Sequence, residues 1–303
     1  MNKINPTIGT YNFKTVIEQG YYVDKTSFAK KVFNFGEAGA VILFARPRRF
    51  GKSLMLSMLN YFFNEKLGDS SYLFNNLEIS RSDVFSHHNK YPVINIDFKD
   101  CIGEDAKKTL EKTFMEIRKT YLTFENDLIA APLSILEKDI VNRLLNNQAQ
   151  EGDYEQSIKL LCKAIYLNSN KKPFLFLDEY DAQLNSAYQN DEVDMIKNFF
   201  KNFFSVTLKG NDYLRIGIIT GVLPFASESL STGFNNGRLD NGVYRVVPKE
   251  YFAFSESDID KTIKDYDSSV DKNKLKEWYG GYLYNGKEYY NPWSVINFFA
   301  NGE

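Results

Sequence analysis

The chain has 303 residues, 43% hydrophobic and 16% aromatic, with 37 basic and 39 acidic side chains and a formal net charge of −2. That size and apolar content suit one large domain or two with a substantial core, and the near balance of charge excludes a protein held to nucleic acid by a global basic field. No apolar run approaches the roughly 20 residues of a membrane span, and the N-terminus lacks a signal-peptide core.

In chain order, residues 1–40 read as an entry segment. Asp24-Lys25-Thr26-Ser27 looks like a helix N-cap ahead of Phe28, Val32 and Phe33. Tyr21 and Tyr22 read as packing residues, with stacking on an adenine ring as the alternative. Val41 to Ala45 is a short apolar, β-rich run of the kind that forms a parallel strand covered on both faces.

Arg46-Pro47-Arg48-Arg49-Phe50-Gly51-Lys52-Ser53 follows at once. Strand, tight loop and Gly-Lys-Ser opening a helix is the order a phosphate-binding loop requires. Loop amides and the helix N-terminus converge on one anion. In that pattern the Lys52 ammonium reaches the β- and γ-phosphates, and the Ser53 hydroxyl sits on Mg²⁺. Arg46 stands where the pattern has its first Gly, and Pro47 fixes φ there instead. Apolar residues at Leu54, Met55, Met58, Leu59, Phe62 and Phe63 form a helical stripe after the loop. The nucleotide-binding candidates are therefore Arg46, Arg48, Arg49, Phe50, Gly51, Lys52, Ser53 and Leu54.

His87 and His88 read as surface-loop residues, and Tyr91 to Phe98 as a further strand. Helical patterns cover roughly 104–125, 133–148 and 153–168. Lys52 and Asp178 lie too far apart for a single crossover helix, so an extra strand and a helical insertion must fit between them. Cys101 and Cys162 lack metal-ligand spacing and read as reduced thiols of a cytoplasmic protein.

Phe174-Leu175-Phe176-Leu177-Asp178-Glu179 has the Walker B form. Its strand would place Asp178 at the C-terminal sheet edge, where open α/β sheets bind ligands. Asp178 is the metal-holding carboxylate, with Ser53, and Glu179 the base that deprotonates the attacking water. Residues 192–208 form a helix with Phe199, Phe200, Phe203 and Phe204 on one side. Leu214 to Gly221 is another apolar strand, and Thr220 at its end is a candidate sensor of the γ-phosphate. Pro224 to Asn241 reads as a long loop, residues 243–254 as strand-like, and 256–303 as a small helical lid or adaptor. Arg46, Arg48 and Arg49 could bind phosphate, act as arginine fingers on a neighbouring subunit, or pair with Asp178, Glu179 or Asp181. Arg215, Arg238 and Arg245 are further finger or sensor candidates, Arg238 with a direct catalytic role.

Several of these motifs resemble the bacterial AAA-ATPase-like proteins: Tyr21-Tyr22-Val23-Asp24-Lys25-Thr26, the Arg46–Ser53 loop, Asp178-Glu179-Tyr180-Asp181-Ala182, Trp278-Tyr279-Gly280-Gly281-Tyr282 and Tyr290-Asn291-Pro292-Trp293-Ser294. Gln183 departs from the Pro expected in that family. The resemblance implies a P-loop ATPase using ATP and Mg²⁺, with an additional strand between the two Walker strands, and makes Arg46 a family trait. It also implies that longer members add a restriction-endonuclease-like domain, so a nuclease-like module or a protein partner is an expected effector, and an oligomer is compatible. The expected fold is a three-layer α/β P-loop domain with a mostly parallel sheet over 1–250, plus a helical subdomain over 251–303. Two other functions compete with ATP hydrolysis. One is a nucleotide switch or scaffold with negligible turnover. The other is a nuclease built on Asp97-Phe98-Lys99, which lacks a second acid of suitable spacing.

Overall fold

Short runs dominated by Val, Ile, Leu and Phe become buried strands, and the longer amphipathic stretches between them become helices. The computed structural model describes residues 9–35, 40–187, 193–222, 237–240, 251–266, 270–284 and 286–301. In chain order the elements are α1 (Phe13–Gln19), α2 (Ser27–Asn34), β1 (Ala40–Ala45), α3 (Lys52–Phe63), β2 (Val93–Asp97), α4 (Ala106–Thr123), α5 (Glu125–Ala130), α6 (Ile135–Leu145), α7 (Glu151–Ser169), β3 (Phe174–Asp178), α8 (Ala182–Ala187), α9 (Val193–Leu208), β4 (Ile216–Gly221), β5 (Gly237–Asp240), β6 (Phe254–Ser255), α10 (Glu256–Tyr266), α11 (Lys272–Tyr279), β7 (Tyr282–Tyr284), β8 (Lys287–Tyr290) and α12 (Pro292–Asn301). Short 3₁₀ turns fill Glu65 to His87. None of the described helices is long and apolar enough to cross a membrane.

Contacts divide the chain into two compact units, each discontinuous in sequence. One comprises Met1–Asn34, Pro47–Asn89 and Val247–Glu303; the other comprises Phe35–Arg46 and Lys90–Val246.

The second unit holds a five-stranded sheet in the order β2-β3-β4-β1-β5, every pair parallel. β4 stands between β1 and β3, where the resemblance puts its additional strand. The register aligns Ile94, Leu175 and Val41 on one face, and Ile96, Leu177, Ile219 and Leu43 one step further along it. These residues join a core with α4, α7 and α9, through Ile117, Tyr121, Ile158, Leu161, Phe199 and Phe203 among others. On the opposite face Ile42, Phe44, Phe174, Phe176, Ile216 and Ile218 are at most 1% exposed, as a parallel sheet buried on both sides requires. Burial of the two thiols raises Cys101 and Cys162 to about 12, so both are protonated packing residues.

The first unit brings the two ends of the sequence together. Val23, Phe254, Ile259, Leu275, Tyr290, Val295, Phe298 and Phe299 form one core, with Tyr21 packed against it. Lys25 donates to Asp258 at 2.7 Å, both side chains largely buried. Asp24 accepts from the Thr26 amide and hydroxyl, and so shapes the turn before α2. Tyr22 meets Phe13 edge-on at 5.2 Å, and the Tyr21 hydroxyl donates to Asp265, so the packing reading describes both tyrosines.

Four expectations need correction. His87 and His88 are half-buried: His87 lies against Phe33, and His88 packs among Phe62, Phe74 and Phe85. Residues 237–240, read as loop, form β5 because pairing with β1 overrides their polar composition. Helix α5 was not anticipated. The C-terminal segment is not purely helical: β7 and β8 follow Gly281 (φ 111°), which breaks the helical run, and with β6, which precedes α10, they form an antiparallel sheet in the order β6-β8-β7. The rest of the expected loop and strand, residues 223–236 and 241–250, lies outside the described residues.

Phe203 is fully buried, with Phe199, Phe200, Phe204 and Phe98 around its ring. Phe203→Ala is expected to lower unfolding stability by about 3–5 kcal/mol, read from the midpoint of urea denaturation at unchanged m-value.

Candidate functional site

The phosphate-loop half belongs to the first unit from Pro47 onward. Arg49 (φ 71°) and Gly51 (φ 73°) adopt left-handed backbone, which turns the chain sharply into α3. Gly51 is the N-cap of α3 and supplies no side-chain cap, so the first-turn amides keep their donor capacity for an anion. The Lys52 ammonium, 7% exposed, donates to the Pro47 carbonyl at 3.1 Å and closes the loop on itself. Ser53 and Leu54 are half-buried in the first turn, and the buried stripe runs through Met55, Leu56, Met58, Leu59, Phe62 and Phe63. The Phe50 side chain is buried with Ala253 and Tyr289, which leaves its backbone rather than its ring for a ligand. Arg48 is exposed, while Arg49 lies over the Trp293 ring. A cleft of about 450 Å³ opens in the same unit between Asp24, Lys30, Glu78 and Arg81, but none of the loop residues lines it. Its two acids and two bases balance, so it presents no net positive charge to an anion.

The Walker B half belongs to the second unit. Asp97 and Asp178 are direct partners across β2 and β3, and Leu177 pairs with Ile219, which brings Asp178 beside Thr220. All three side chains therefore share the C-terminal edge and one face of the sheet. Asp178 is 6% exposed and accepts at Oδ1 from the Thr220 hydroxyl, in a short bond, and from the Glu179 amide at 3.0 Å. The hydroxyl of the proposed sensor is thus committed to the acid. Glu179 has φ 50°, a left-handed conformation that a β-strand residue avoids and that clusters at functional sites. Beyond it, the Tyr180 amide bonds to the Thr220 carbonyl, and Asp181 Oδ2 accepts from the Val222 amide at 2.9 Å. Gln183 donates to the Phe98 carbonyl at 2.6 Å, a tie that Pro could not make.

Arg46 continues β1: its amide bonds to the Gly221 carbonyl, and its buried guanidinium donates to the Ala45 carbonyl at 3.2 Å. Arg215 must be removed from the finger candidates. It sits over Tyr91 and Phe174 at the opposite end of the sheet, and the rise along β3 puts that end about 13 Å from Asp178. Arg238 lies on β5 opposite Ile42, though its side chain, like all of Arg245, falls outside the described residues. Sequence reasoning missed the contacts of Trp293, Tyr282 and Tyr289 with the loop tip, because no periodicity links positions more than two hundred residues apart. It also missed Gly221, whose need appears only when Tyr180 and Asp181 pack against it.

This architecture defines a class first: a parallel α/β sheet with helices and a Gly-Lys-Ser turn after β1, compatible with a P-loop-like fold. The chain belongs to the AAA-ATPase-like family, described as predicted AAA-ATPases, whose model matches residues 7–231. It is also similar to an uncharacterized protein in the vnfD 5′ region of Azotobacter chroococcum mcd 1, at 27% identity over 309 residues. That match covers 100% of this chain and 53% of the relative, so the chain spans about half the relative's length. No solved structure matches.

A methyl group on Gly221 would fall 2.7 Å from Asp181 Oδ1 and inside the contact distance of the Tyr180 ring. Gly221→Ala is expected to cost about 1–3 kcal/mol by overpacking, measured by thermal unfolding. Burial, together with the charges of Asp178 and Glu179, raises Asp97 to about 6 against the opposing Lys99 amide. A folded-state value above the unfolded one penalises the carboxylate: stability falls as pH rises from about 4 to about 6 and stays lower above it. Asp97→Asn should therefore raise the melting temperature at pH 8, and the gain should vanish near pH 4. An equal gain at both pH values would exclude this origin.

Proposed function

We propose that the chain binds Mg·ATP and hydrolyses its γ-phosphate. The observation that carries this reading is the sheet order: β4 separates β1, which leads into Lys52 and Ser53, from β3, which ends in Asp178 and Glu179. Family membership supports nucleotide binding at a coarse level.

In this reading the loop amides and the Lys52 ammonium bind the β- and γ-phosphates. Ser53 and Asp178 supply a hydroxyl and one carboxylate oxygen. That hard-oxygen set suits Mg²⁺, which takes most of its remaining ligands from phosphate and water. The Asp178 carboxylate accepts from Thr220 and from the Glu179 amide at Oδ1, and in this reading it would offer its other oxygen to the metal. Bound Mg²⁺ would neutralise charge on the phosphate oxygens. Glu179 accepts the proton of the attacking water as its oxygen bonds to the γ-phosphorus, and the bond to the β–γ bridging oxygen breaks to release ADP and phosphate. Thr220 orients Asp178. Arg48, Arg49 and Arg238 stay the candidate arginines for phosphate in this reading, and hydrolysis without a partner's finger is expected to be slow. The nucleotide state would regulate or power an attached module or a protein partner, with residues 251–303 as an adaptor, in the reducing cytoplasm.

Lys52→Ala should abolish ATP binding in calorimetry. Glu179→Gln should keep ATP affinity while lowering phosphate release by about 10²–10⁴-fold. Wild-type protein that binds ATP but releases no phosphate would replace hydrolysis by a nucleotide-gated switch.

A further inference from the structure

Two adjacent side chains at the loop tip, Arg49 and Phe50, are engaged by C-terminal residues of the same compact unit. The Arg49 guanidinium lies 3.7 Å from the centroid of the Trp293 ring. The Phe50 ring meets Tyr282 edge-on at 5.1 Å and is buried with Ala253 and Tyr289. Arg49 holds a left-handed backbone that long side chains seldom adopt, two residues before Gly51 does the same. Such a conformation persists only where the surroundings over-determine it. The amide directions of an anion-binding turn follow from these same dihedrals, so whatever holds Arg49 and Phe50 also aims the loop.

The surroundings are well anchored. Trp293 opens α12, whose Val295, Phe298 and Phe299 lie in the C-terminal core with Tyr290 of β8. A guanidinium stacked face-on keeps its in-plane N–H donors for other partners.

We propose that Trp293, together with Tyr282, is a positioning clamp for the phosphate loop, through which the C-terminal aromatic segment sets affinity for a nucleoside triphosphate. This rests on the nucleotide reading above. Neither ring touches the phosphates; they act through Arg49 and Phe50.

The test is calorimetric titration of the full chain with Mg·ATP. Trp293→Ala should weaken ATP binding about fivefold, the scale of a cation–π contact at an exposed guanidinium, while Trp293→Phe stays within about twofold because it keeps an aromatic face. Tyr282→Ala, at a ring 48% exposed and therefore tolerant of truncation, should weaken it about threefold. A spectroscopic readout separates positioning from general stability. The chain has two tryptophans, and Trp278 is 69% exposed. Trp278→Phe isolates Trp293, whose emission should change on titration with Mg·ATP. Absence of ATP binding by the wild type overturns the nucleotide reading and the clamp together. Wild-type binding with an unchanged Kd in Trp293→Ala and Tyr282→Ala overturns the clamp alone, as does Trp293 emission indifferent to saturating ATP. Should Trp293→Ala not fold, Tyr282→Ala and the emission titration decide.

Discussion

A carboxylate buried at the end of a parallel strand must be satisfied by its neighbours, and Asp178 meets that constraint through Thr220. Burying an ionised group without hydrogen bonds costs far more than one side chain can recover. Satisfaction here requires β4 beside β3, in the register that pairs Leu177 with Ile219. A slip of one residue would send Thr220 to the other face. The same register lets the Thr220 carbonyl take the Tyr180 amide, which fixes where the chain leaves the sheet and hence the turned backbone of Glu179. One contact between a hydroxyl and an acid therefore ties strand order, register and the exit geometry of the proposed base together.

Much of this was legible because it is written locally. Val41 to Ala45 and Phe174 to Asp178 are continuous apolar runs, and the Phe199, Phe200, Phe203 and Phe204 stripe repeats at helical spacing. Gly-Lys-Ser and Asp-Glu carry their chemistry in adjacent residues. What was illegible depends on tertiary pairing. Gly237-Arg238-Leu239-Asp240 has no strand signature of its own and extends because β1 offers an edge. Arg215 reads as an arginine near a site until the parallel register shows that it starts the strand that Thr220 nearly ends. Phe50 looks like a loop residue beside a ligand and proves to be a buried anchor.

The high aromatic content has a physical use. In the first unit, Phe13, Phe62, Phe74, Phe85 and His88 interlock with ring centroids 5.1–6.1 Å apart in the contacts Phe13–Phe74, Phe62–Phe74, Phe62–Phe85 and Phe85–His88. Large rings bury much area per residue at a low cost in side-chain freedom. That suits a unit whose other secondary structure includes short 3₁₀ turns and two- to four-residue strands.

That unit is also assembled from segments far apart along the chain, since Lys25 bonds to Asp258 and Phe28 packs on Tyr251 and Phe252. A ribosome delivers these partners at very different times. Tyr21 and Phe28 emerge long before Phe252 and Phe299, and this part of their packing waits until those residues have cleared the exit tunnel. The sheet-bearing unit draws nearly all its residues from one earlier stretch, Lys90–Val246, and can mature while synthesis continues. Completion of the loop-bearing unit therefore follows synthesis of the sheet-bearing stretch, and until then Tyr21 and Phe28 present aromatic surface that a chaperone can cover.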